Sequence, residues 1–80
     1  MNVSYTVRRA VEATNRDGKP CRIALVLFQL PGEPVGRSLA ISEAQILYEA
    51  GGDPEREEAF IRRELNHVLA QMTAGATLQA

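Results

Sequence analysis

The chain predicts an α+β domain: a three-stranded antiparallel β-meander followed by two α-helices packed on one face of the sheet, in the order β-β-β-α-α. Three observations carry this reading. Residues 2–14 alternate apolar with polar, residues 21–30 (CRIALVLFQL) are apolar on both faces of any strand they form, and from Ser42 onward the spacing becomes helical. Charge changes at the same place. Residues 1–41 hold six bases against three acids, while residues 42–80 hold three bases against seven acids, so the two halves are different kinds of structure.

The first strand covers residues 2–14. Val3, Tyr5, Val7, Val11 and Ala13 share one face, interrupted by Arg9; Asn2, Ser4, Thr6, Arg8, Glu12 and Thr14 share the other. Asn15-Arg16-Asp17-Gly18-Lys19 supplies turn chemistry, and Asp17-Gly18 suits the centre of a two-residue type I′ hairpin, where both residues need positive φ. The second strand is 21–30. Pro31-Gly32-Glu33-Pro34 stops it, since neither proline can donate to a ladder. A third strand over 35–41 places Val35, Leu39 and Ile41 on one side and Gly36, Ser38 and Ala40 on the other.

Helical signals then follow closely. Ser42 and Gln45 have capping-box spacing, with Ile41 and Ile46 placed as its hydrophobic staple. The first helix runs over 43–50 and ends at Gly51-Gly52. Asp53 caps the second, Pro54 occupies its first position, and Glu55, Glu57 and Glu58 face the positive end of its dipole. Across 54–74, Ile61, Leu65, Val68, Leu69 and Met72 form an apolar stripe bordered by Phe60. Gly75 stops the helix, leaving one domain over 1–75 and a disordered tail over 76–80.

Register links these elements. With Asp17-Gly18 as the loop, Val11 pairs with Ala24, Arg9 with Val26, Val7 with Phe28 and Tyr5 with Leu30. A four-residue second loop pairs Val35 with Leu30, Arg37 with Phe28, Leu39 with Val26 and Ile41 with Ala24. Paired residues share a face, so the apolar sides of the three strands coincide and the helices cover that surface. Arg9 and Arg37 then point toward the helices, within reach of Glu57 and Glu64.

The opposite face carries Ile23, Leu25 and Leu27 in a row, with Arg8 and Ala10 on one shoulder and Ala40 on the other. An apolar patch of this kind marks an interaction surface, whose occupant is a second copy (a homodimer) or another protein. The plainer explanation is an aliphatic row shielded by the stems of its neighbours. The basic strand half offers an alternative, nucleic-acid binding through Arg8, Arg16, Lys19 and Arg22, which the acidic helical half opposes.

Nothing points to catalysis, a cofactor or a metal. His67 is the single histidine and Cys21 the single cysteine. They are the one conceivable base and nucleophile, yet register puts Cys21 on the face away from the helices. Structural zinc needs four thiolate or imidazole ligands, and the glycines match no phosphate-binding pattern. Eighty residues, 45% hydrophobic and 24% charged, form one domain with a small core. A lone cysteine, no signal peptide and no apolar run longer than 23–28 predict a cytoplasmic protein with no membrane partner.

Overall fold

A computed structural model describes residues 2–72 and 77–78. The strands are β1 (Asn2–Val3), β2 (Tyr5–Thr14), β3 (Pro20–Phe28), β4 (Arg37–Ser42) and β5 (Thr77–Leu78), with α1 (Glu43–Ala50) and α2 (Pro54–Met72) between β4 and β5. β2, β3 and β4 form an antiparallel sheet in that order. Both helices lie on one face of it, giving the β-β-β-α-α arrangement that the sequence predicts. The 54–74 helix is described as far as Met72. Gly75 and residues 76, 79 and 80 of the expected tail lie outside the described residues. Thr77 and Leu78 pair in parallel with Asn2 and Val3.

The core fills the space between sheet and helices. Ala24, Val26, Phe28 and Leu30 from the apolar run meet Ile41, Ile46, Phe60, Ile61, Leu65 and Leu69, with Val3 buried beside them. On α2, Ile61, Leu65 and Leu69 recur every four residues and face the sheet. Phe60, expected at the border of this stripe, is inside the core, while Met72 is 44% exposed.

The β3–β4 register is the expected one, from Phe28↔Arg37 through Val26↔Leu39 to Ala24↔Ile41. The ladder ends there, so Leu30 and Val35 do not pair. Leu30 turns into the core, and Val35 is 70% exposed. Pro31-Gly32 instead form the centre of a turn closed by the Glu33 N–H donating to the Leu30 carbonyl at 3.1 Å.

The first hairpin departs from expectation. Only Gly18 of the Asp-Gly pair has positive φ (77°), so the turn is not type I′. The Gly18 N–H donates to the Asn15 carbonyl at 3.0 Å and the Asn15 N–H to the Lys19 carbonyl at 2.9 Å. That is a three-residue loop, a turn followed by a left-handed glycine. Asn15 Oδ1 also accepts the Asp17 and Lys19 N–H groups at 2.9 and 3.0 Å. This longer loop moves the register by one, pairing Val11 with Ile23 and Ala13 with Cys21. A bulge between Arg8 and Val11 moves it once more, so that Arg8 pairs with Leu25, Val7 with Val26 and Tyr5 with Phe28.

Helix ends also differ from the sequence reading. Ser42 is the N-cap of α1 but makes no side-chain cap bond, and Gln45 donates to Glu49 instead, at 3.2 Å. The capping box is therefore not formed. Gly51, in the left-handed region at φ 61°, closes α1 by donating to the Leu47 carbonyl at 2.8 Å. Asp53 does cap α2, its Oδ1 accepting the Glu55 N–H at 3.0 Å.

Candidate functional site

The bulge decides what the uncovered face presents. Before it, Tyr5 and Val7 face the helices while Thr6 and Arg8 pair with Leu27 and Leu25 on the open side. After it the alternation is exchanged. Val11 and Ala13, expected toward the helices, join Ile23 and Cys21 on the open side, and Glu12 turns away to pair with Arg22. Ala10, expected on the shoulder of the row, falls in the bulge and has no ladder partner.

The resulting open face has Cys21, Ile23, Leu25 and Leu27 along its centre. Thr6, Arg8, Val11 and Ala13 flank it from β2, and Ser38, Ala40 and Ser42 from β4. Ile23, Leu25, Leu27, Val11, Ala13 and Cys21 are each half-buried, and no described element covers them. Among the described residues, Arg8 is the single charged side chain on this surface. The face is thus an aliphatic ridge with a low shoulder of Ser38, Ala40 and Ser42 on the β4 side and Thr6, Arg8, Val11 and Ala13 on the β2 side.

The bulge is held from the helix side. Arg9 donates from Nε and Nη2 to both carboxylate oxygens of Glu43 at 2.9 and 2.7 Å, and from Nη1 to Glu57 at 3.0 Å. The Ala10 N–H donates to Glu43 Oε2 at 2.7 Å. Ala10 has φ 54°, so Glu43 satisfies the unpaired amide of a strained residue. These bonds, the Arg9 pair first, hold the Glu43 carboxyl below the ordinary carboxylate range, and the two carboxylates raise Arg9 in turn. Arg9 therefore meets Glu57 as expected and Glu43 in addition. Arg37 pairs not with Glu64 but with Glu33, at 2.9 Å.

The four basic candidates do not form one surface. Arg8 lies on the open face, Arg22 on the helix side opposite Glu12, and Arg16 and Lys19 at the hairpin tip. Cys21 is on the open face, with the sheet between it and α2, where His67 is exposed and approaches Gln71 at 3.4 Å. Among the described residues, no group of three or more His, Cys, Asp or Glu side chains is placed to hold a metal ion. No helix among them is long and apolar enough to cross a membrane.

The residues missed from sequence are Val11 and Ala13 on the open face and Glu43 behind it; Cys21 lies on that face as expected. Arg9 was their signal, since a guanidinium in the apolar row of a strand marks a break in its alternation. No family model, curated protein or solved structure matches the chain.

Proposed function

We propose that this chain is a small, non-enzymatic protein-interaction module that docks through the open face of its sheet onto a second copy of itself. One observation carries the reading: the face beside a fully covered core presents an aliphatic ridge with a single charge. Its shape favours a self-match. When two such faces meet about a two-fold axis, the ridge of each copy lies over the Ser38, Ala40 and Ser42 shoulder of the other, as in aligned sheet packing. The lone cysteine, which leaves the chain without an internal disulfide, favours a cytoplasmic setting.

The footprint is modest. Three strands spaced about 4.8 Å apart and rising about 3.3 Å per residue present roughly 400 Å², against about 800 Å² of accessible surface per partner in a standard interface. Self-association through this face alone is accordingly weak, in the range of tens of micromolar or above. Light scattering across that range is the test. The expected result is a mass that grows with concentration and that Leu25→Glu lowers at every concentration where the native chain associates. A mass that Leu25→Glu leaves unchanged, with stability and solubility also unchanged, refutes docking through this face.

A further inference from the structure

The two edges of the sheet are unlike, and the difference bears on a second contact. The β2 edge is defended: it carries a bulge, a residue at positive φ, and Arg8 and Arg9 as neighbours. The β4 edge has none of these devices. Its register is unbroken from Arg37 to Ser42, it contains no proline, and its open-side residues are Ser38, Ala40 and Ser42. Its one charge, Arg37, is held by an exposed pair with Glu33, a contact of little energy that is easily exchanged.

Above this edge, on the helix side, lies a groove of about 420 Å³ lined by Leu39, Ile41, Gln45, Glu49, Phe60 and Glu64. Its floor is apolar and its rim acidic. Glu64 is half-buried and has no hydrogen-bond or ion-pair partner among the described residues. Glu49 has only a 3.8 Å contact with Arg63 and the amide of Gln45. A strand added along β4 would send alternate side chains into this groove, and the chemistry required of them is apolar plus cationic.

β4 itself has that pattern, since its helix-side residues are Arg37, Leu39 and Ile41. We infer that β4 pairs antiparallel with β4 of a second copy, centred on Leu39, joining two three-stranded sheets into one. In that register Arg37 of each copy falls opposite Ile41 of the other, beside Glu64 and Glu49, and Leu39 meets its own counterpart across the axis. Arg37 leaves Glu33 for the acidic rim of the partner copy's groove. The joined sheet also doubles the open face, bringing it to the size of a standard interface.

This contact stands on the edge and its groove, independently of docking through the face, and charge exchange separates the two. Sedimentation of the full chain at concentrations up to about 1 mM, with helix content followed by circular dichroism, is the measurement. The expected result is an assembly retained in Leu25→Glu, weakened by about tenfold or more in Arg37→Glu and in Glu64→Arg, and restored when both are combined in one chain. Two folded outcomes overturn the inference: a Leu25→Glu protein that is monomeric throughout, or an assembly indifferent to Arg37→Glu. If either single variant fails to fold, hydrogen exchange of the native chain decides. Amide protection within 37–42 that rises with protein concentration supports the edge contact, and protection independent of concentration rejects it.

Discussion

Glu43 meets three demands at once: it is the first residue of α1, it takes both nitrogens of the Arg9 fork, and it accepts the amide of Ala10. Each favours the ionised carboxylate, and its side chain is only 19% exposed. The consequence for pH has a definite sign. Folding lowers the Glu43 pKa below its unfolded value near 4.5, so the stabilisation is complete above that value and is lost as pH falls through the folded pKa. Glu43→Gln should therefore lower stability at pH 7 by about 1–2 kcal/mol, a hydrogen-bonded charge discounted for the exposure of Arg9. It should also flatten the acid limb of a urea-unfolding series below pH 4.5. Equal acid limbs in the two proteins would contradict this role. Ala10 offers an independent check. A strand residue replaced by glycine ordinarily loses stability, but at φ 54° the side chain is the liability. Ala10→Gly is expected to gain up to about 1 kcal/mol in the same titration.

At the scale of elements, the contrast between the two helix starts is measurable. Asp53→Ala removes a bond to the Glu55 amide and should lower stability by about 1 kcal/mol, whereas Ser42→Ala, whose hydroxyl caps nothing, should change it by a few tenths at most. Equal losses in thermal melts would show that Ser42 does cap α1. The same contrast shows what the residues disclosed in advance. Period-two and helical spacing identified each long element, because those patterns report one buried face and one solvated face directly. The β3–β4 register was legible because Pro31 and Pro34 cannot donate to a ladder, and the four-residue loop they bound sets Phe28 opposite Arg37. The β2–β3 register was not, for a physical reason. Asp17-Gly18 is compatible with a two-residue and a three-residue loop, and these differ by one position, which exchanges faces. Starting from the three-residue loop, Val11 pairs with Ile23, and Tyr5 and Val7 then reach the core only through a bulge. Arg9 marks where it falls. The central row Ile23, Leu25 and Leu27, with Arg8 and Ala40, was therefore placed from sequence. Val11 and Ala13 required the bulge, and the groove over β4 required the helices in position.

For the whole molecule, the governing fact is a small core beneath one covered face. The proposed self-association would be coupled to folding by mass action, since a contact made only by the folded chain stabilises it more as concentration rises. For a dimer, each tenfold rise in concentration adds about 1.4 kcal/mol per dimer, or about 0.7 kcal/mol per chain. Domains of this size gain about 4–8 °C in Tm per kcal/mol. The midpoint should therefore climb by about 3–6 °C per decade of concentration once association sets in. Leu25→Glu and Arg37→Glu together, which remove the face and the edge contacts, should make the midpoint independent of concentration. A midpoint that is already flat in the native chain would show that the apolar row is shielded well enough by its own neighbours, and that Ile23, Leu25 and Leu27 meet nothing but water.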